Sequence, residues 1–174
     1  MSEEPTTSRL DELFQVAWRW CRSTSKRDFA VAPAVVLLGQ PFRRRKLRFI
    51  GLVPMAAGFA LYRLCGPYRQ GIAGGGSGLS GPPPEQLVTT GIYSLTRNPM
   101  YTGHLLYLFG LAVLTSSPLA LCFALGNVPW FNERVKGDEA NLLERFGEDY
   151  ARYLTEVPRW GIDPDRIRAL VAAH

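Results

Sequence analysis

Residues 97–134 read RNPMYTGHLLYLFGLAVLTSSPLALCFALGNVPWFNER, and between Arg97 and Glu133 there is no Asp, Glu, Lys or Arg. The cluster Thr115-Ser116-Ser117-Pro118 divides this run in two, because proline behind hydroxyl residues opens a helix more readily than it continues one. Each half is about long enough to cross a hydrocarbon core of roughly 30 Å. The stretch predicts a membrane helical hairpin that returns both polar ends to one side. Trp130 and Phe131 fall where an aromatic belt is expected. A hairpin buried in a soluble core would satisfy the same pattern.

Upstream, Leu47 to Gly66 reads as a further transmembrane helix, with Arg48 and Arg63 near enough to its ends to snorkel. Phe29 to Gly39 is apolar but short, which suits a partial, tilted or re-entrant span. Before it, Ser8, Asp11 and Glu12 resemble a helix start. Leu10, Leu13, Phe14, Ala17, Trp18 and Cys21 follow at helical spacing, ahead of a basic end. Residues 1–28 thus read as an amphipathic surface helix or one packed on a partner, and 29–70 as the N-terminal membrane segments. Gly71 to Pro84 (GIAGGGSGLSGPPP) is a flexible loop stiffened by prolines, placed at 71–85. It lacks the order of a phosphate-binding loop. A core at 86–160 and a tail at 161–174 complete the chain. Within that core Asp138 to Thr155 is charged and amphipathic, a cytosolic helix or helix pair interrupted at Gly147. The fold class expected is an all-α integral membrane protein: several transmembrane helices including the hairpin, then a cytosolic amphipathic segment.

The totals fit this reading once their distribution is considered. Mean hydropathy is only −0.03, but polar residues gather at the two ends and in the central loop. The net charge of +5 is not interleaved with aromatics on a nucleic-acid module, and suits a basic rim facing anionic headgroups instead. No nucleic-acid partner is expected; membrane lipids are. The cysteines, Cys21, Cys65 and Cys122, are too scattered for a disulfide framework or zinc spacing. The acidic start, Ser2-Glu3-Glu4, is unlike the basic n-region of a secretory signal.

The hairpin brings two polar clusters together. Gly91-Ile92-Tyr93 and Arg97-Asn98-Pro99-Met100-Tyr101-Thr102-Gly103 precede it; Glu133-Arg134 and Asp138-Glu139 follow it. Polar groups at the mouth of a membrane hairpin are costly to desolvate unless paired, and a charged ligand would pair them. Arg97 could instead cap the membrane edge and pair with Asp138. Tyr101 and His104 could share a hydrogen bond as packing residues, and Phe146, Tyr150 and Tyr153 could be the core of the last helix.

The sequence LVTTGIYSLTRNPMYTG, a hairpin, then DEANLLERFGEDYARYLTEVPRW, resembles the isoprenylcysteine carboxyl methyltransferase and phospholipid methyltransferase superfamily from Gln86 to Trp160. The resemblance implies an S-adenosyl-L-methionine site on the cytosolic face. Glu85, Gln86, Leu87, Val88 and Tyr93 would line one side, and Asn98, Pro99, Met100 and Tyr101 the next. Asp138 would hold the cofactor and Arg134 would face a lipophilic methyl acceptor. Two departures stand out: Asn98 where the family commonly has His, and Gly137 between Arg134 and the acids.

Chemistry agrees with these roles. A sulfonium, an ammonium and a carboxylate need an acid, donors and an apolar slot for adenine. Asp138 or Glu139 could meet the ammonium, Asn98 and amides near Pro99 could donate, and Leu87, Val88 and Tyr93 could pack on the ring. Arg97 joins the cofactor-binding set. Arg134 and Asp138, four apart, would share a face of a continuous helix. Two other classes stay open: an NADPH-dependent sterol reductase-like enzyme, and a noncatalytic membrane adaptor. Acceptor and oligomeric state are not specified by the sequence.

Overall fold

The computed structural model describes residues 23–39, 47–75, 84–161 and 168. All regular structure among them is helical. A turn of helix at Thr24–Lys26 runs through a π-helical Arg27–Val31 into α1, Ala32–Gly39. A 3-10 turn, Phe49–Gly51, leads into α2, Leu52–Ala73. After the extended segment 84–90 and a 3-10 turn at Gly91–Ser94 come α3, Pro99–Thr115, and α4, Pro118–Glu156.

The break between α3 and α4 lies where the hydroxyl cluster predicts it. Ser116 takes a left-handed conformation, φ 48°, and the Ser117 hydroxyl caps α4 by accepting from the Ala120 amide at 3.2 Å. Pro118 then starts the helix, where its missing N–H costs nothing. The two segments meet as an antiparallel hairpin.

Phe49–Ala73 is, among the described residues, the one helix long and apolar enough to cross a membrane. It outlasts the expected Leu47–Gly66 span because Pro67 is accommodated within it, and the loop expected from Gly71 begins at Gly74. Its partner is α3. Heptad-spaced glycines, Gly51 at the cap of α2 and Gly58 within it, Gly103 and Gly110 on α3, let the two backbones touch. A Cβ at Gly58 would sit 2.5 Å from the Gly103 carbonyl oxygen, and one at Gly103 would sit 2.7 Å from that of Gly58. Small residues at such contacts are how helices associate where lipid removes the hydrophobic drive. The Arg48 amide donates to the Leu114 carbonyl at 2.9 Å, joining the start of α2 to the end of α3.

The short apolar segment packs inward. Ala32 lies with Leu108 and Ala124, and Val36 with Leu111 and Ala120, so α1 rests on the hairpin. Asp28, at the end of the stretch read as a surface helix, is 1% exposed; residues 1–22 of that stretch lie outside the described residues. Asp28 meets His104 Nδ1 at 2.9 Å and Arg27 Nε at 2.8 Å, and Arg27 also donates to the Asn127 side chain. His104 therefore pairs with Asp28, not with Tyr101. A carboxylate placed inside a bundle needs such partners. Leu37, Leu38, Phe59, Leu64, Leu121 and Leu125 remain on the outside as apolar surface.

Candidate functional site

Four pieces of chain converge at the end of the hairpin: segment 84–98, the C-terminal half of α2, residues 134–153 of α4, and the strap Val157–Gly161. Tyr93 joins three of them. Its hydroxyl donates to the Cys65 carbonyl of α2 at 3.4 Å, and its own carbonyl accepts from the Tyr153 hydroxyl of α4 at 2.6 Å. Gly91 is required here: its φ is +56°, and a Cβ would fall 2.4 Å from the Tyr68 hydroxyl oxygen. Burial pushes the Tyr93 phenol above its ordinary pKa.

The charges form two linked groups. Glu139 sits between two guanidiniums: Arg97 at 3.1 Å, with the two side chains 8% and 9% exposed, and Arg159 at 2.7 Å, itself 36% exposed. Hydrogen bonding to Glu139 raises the pKa of Arg159 further. Asp138 instead accepts from the Tyr101 hydroxyl at 2.6 Å, and that hydroxyl accepts from Arg134 Nε at 3.0 Å. Arg97 thus pairs with Glu139, not with Asp138. Arg97 Nε is buried with no hydrogen-bond partner among the described residues.

Gly137 does not interrupt α4. The helix runs through it, so Arg134, Asp138 and Tyr101 meet as a continuous helix allows. The interruption comes at Gly147, whose φ and ψ of 52° and −124° are non-helical. The reversed geometry there aims Tyr150 and Tyr153 back at the site. Tyr150, Tyr153 and Val157 form a core with Leu87, Leu142 and Phe146, as expected. Burial, reinforced by the Glu139 charge, pushes the Tyr150 phenol up to about 12.

A cavity of about 50 Å³ opens among Leu87, Val88, Tyr93, Arg97, Asn98, Asp138 and Glu139, all expected, and Arg69, Pro84, Leu142, Tyr150 and Tyr153, not expected. Five expected cofactor residues lie elsewhere. Glu85 and Gln86 are exposed; the Glu85 amide is used by the Ala73 carbonyl at 2.7 Å. Pro99 is buried at the start of α3, and Met100 packs with Cys65, Ala73, Val88 and Tyr93. Tyr101 packs on Phe131 and Val135 and touches the site through its hydroxyl. Arg134 stands beyond Tyr101, outside the cavity wall.

Past that pair is a second, apolar space of about 600 Å³ between α3 and α4, bounded by Leu105, Leu106, Phe109, Val128, Asn132 and Trp160. It is large enough for a drug-sized ligand. Tyr101, Arg134 and the strap stand between the two spaces.

Arg159 and Arg69 are the functional candidates that sequence reasoning missed. Arg159 lies in the Val157-Pro158-Arg159-Trp160 motif, which follows α4 and gave no hint of a fold back onto Glu139. Arg69 belongs to the part of α2 beyond the expected span.

Residues 48–148 match the phospholipid methyltransferase family. The chain is similar to the protein-S-isoprenylcysteine O-methyltransferase of Xenopus laevis, 40% identical over 73 residues that make up 41% of this chain and 25% of that enzyme. It is similar to protein-S-isoprenylcysteine O-methyltransferase B of Arabidopsis thaliana, 36% identical over 75 residues, 42% of this chain and 38% of that one. The human protein-S-isoprenylcysteine O-methyltransferase is 34% identical over 73 residues, 41% and 26% of the two chains. The matched region therefore spans well under half the length of these relatives. No solved structure matches significantly. A match over more than half the chain, centred on the two helices and the paired acids that build the site, means that the chain belongs to the phospholipid methyltransferase family.

Proposed function

We propose that this protein transfers a methyl group from S-adenosyl-L-methionine to a lipophilic acceptor held in a membrane, with the site facing the cytosol. The observation that carries the reading is the adjacency of two unlike spaces: a charged one at Asp138, Glu139 and Arg97, and an apolar one at Leu105, Leu106, Phe109 and Trp160. Relatives named isoprenylcysteine O-methyltransferases favour a prenylated cysteine carboxylate as acceptor. The apolar outer surface of α2 and of the hairpin supports several membrane-crossing helices.

The donor set suits the cofactor. Asp138 and Glu139 offer carboxylates to an ammonium, the partnerless Arg97 Nε offers a donor to a carboxylate, and Leu87, Val88 and Leu142 offer apolar walls. Such a cofactor supplies an electrophilic methyl carbon when bound. The chain's own part is to position and dehydrate. Arg134, fixed by Tyr101, is placed to orient an acceptor carboxylate by a charge-assisted bond. Trp160 and the walls of α3 and α4 exclude water, which favours an in-line displacement. A carboxylate acceptor needs no general base.

The test is equilibrium binding in detergent of S-adenosylhomocysteine against NADPH, followed by transfer of radiolabelled methyl to farnesylcysteine and to its carboxamide. Binding of the thioether nucleoside and labelling of the free acid alone is the expected result. Binding of NADPH without S-adenosylhomocysteine would put the protein with the reductases.

A further inference from the structure

The strap Val157–Gly161 touches both spaces. Arg159 grips Glu139 at the edge of the charged cavity, and Trp160, the next residue, borders the apolar one and packs against the Tyr101, Phe131 and Val135 cluster. Gly161, with φ +76°, ends the strap at the rim of the apolar space.

The strap's bonds are graded. At its base the Arg97 amide donates to the Pro158 carbonyl at 3.0 Å, and the Arg97 side chain donates to the Leu154 carbonyl. At its tip the Thr96 hydroxyl and the Asn98 amide both reach the Arg159 carbonyl at a long 3.3 Å. The tip is held as well by Trp160 packing on Tyr101, Phe131 and Val135 and by the Arg159–Glu139 ion pair, whose arginine is on the solvent side while Arg97, the other partner of Glu139, is buried. The base is held by bonds to the backbone and side chain of Arg97, and the tip depends on the two-pronged Arg159–Glu139 pair, so release of Glu139 frees the tip to move about Pro158.

The cavity, about 50 Å³, is far below the roughly 300 Å³ and more of ordinary ligand sites. Something must move to admit a nucleoside. Charge shows what: Arg69 and Arg97 line the cavity and Arg159 closes on its edge, against the two carboxylates of Asp138 and Glu139, so cations already outnumber anions there. A ligand bringing an ammonium has Asp138 and Glu139 to meet, and Arg159 covers Glu139.

Resting on the functional reading above, we infer that Arg159 is a latch that competes with the cofactor's ammonium for Glu139. Its displacement swings the strap tip and carries Trp160 off the apolar space. Arg159 is a positioning residue and touches neither reacting atom.

The experiment uses the full chain in detergent with S-adenosylhomocysteine as probe. Arg159→Gln removes the competing charge and should bind the probe about three- to fivefold more tightly, the scale of a half-exposed ion pair; Arg159→Lys, which keeps the charge, should stay near the wild type. The probe should also change the emission of Trp160 in the wild type, assigned by its loss in Trp160→Phe, and change it much less in Arg159→Gln. Equal or weaker binding by Arg159→Gln overturns the latch and makes the arginine part of the binding site. A wild type that binds the probe without any Trp160 response overturns it too, even if the glutamine variant does not fold. A wild type that binds no probe overturns the functional reading itself.

Discussion

The Tyr101 hydroxyl spans from α3 to α4 to donate to Asp138 at 2.6 Å, and the same oxygen receives Arg134. One phenol therefore fixes the Asp138 carboxylate and the Arg134 guanidinium relative to each other. Tyr101→Phe should lower turnover about tenfold or more, the effect of misplacing reactants by a fraction of an ångström. S-adenosylhomocysteine affinity should change less, by about threefold at most, because Tyr101 reaches the cavity only through Asp138 and a net hydrogen-bond contribution is about 1 kcal/mol or less. Single-turnover methyl transfer beside a binding isotherm checks both.

Asp138→Ala should weaken S-adenosylhomocysteine by about 1.5–3 kcal/mol, the scale of a hydrogen bond to a charged group. Unchanged affinity in both Asp138→Ala and Glu139→Ala would remove the pair from the cofactor site.

Arg134 is expected to act on the acceptor. Arg134→Ala should leave S-adenosylhomocysteine binding nearly intact while turnover falls, and Arg134→Lys should restore little, since a lysine cannot reproduce a planar, forked donor. An alanine variant that loses probe affinity as severely as Asp138→Ala, while folded, would place Arg134 with the cofactor instead.

The glycine contact between α2 and α3 sets a stability test. Gly58→Ala drives a methyl into the Gly103 carbonyl and the Tyr107 amide, 2.5 and 2.6 Å away, and should cost about 3 kcal/mol or more, at the top of the overpacking range. Gly137→Ala has nothing within 4 Å and should stabilise α4 by about 0.5–1 kcal/mol. Thermal unfolding in one detergent reads both.

Tyr150 gives the pH dependence. Its phenol is held protonated up to about 12 by burial and the Glu139 charge, whereas in the unfolded chain it ionises near 10. Its contribution is complete below pH 10 and is lost as pH rises through 12, because there the unfolded state releases the proton first. Thermal scans from pH 9 to 12 should show a steep decline that is shallower in Tyr150→Phe.

Much of this was legible in the residues. The charge-free run with its hydroxyl break specifies a hairpin by local chemistry, and the polar clusters at its mouth needed only that hairpin to meet. Which acid meets which arginine depends on the rotation of α4 against α3, a matter of packing shape; hence Arg97 turned out to face Glu139. Gly137 read as an interruption and the upstream span was expected to end at Gly66, yet Gly137 and Pro67 each sit in a helix whose neighbours on both sides are anchored, and that anchoring outweighs a local cost of a few kcal/mol. Arg159 was hidden because a strap's return path leaves no periodic trace. The pairing of Asp28 with His104 crosses 76 residues, and no local pattern announces a contact at that range.

The apolar space between α3 and α4 lies along the flank of the hairpin, bordered by Leu106, Phe109 and Val128, so on the proposed function an acceptor enters sideways from the lipid. Its driving quantity is then its mole fraction in the leaflet, not its amount per litre. Adding inert lipid at fixed enzyme and acceptor should slow methylation by simple dilution in two dimensions, while the water-soluble cofactor's saturation curve stays where it was.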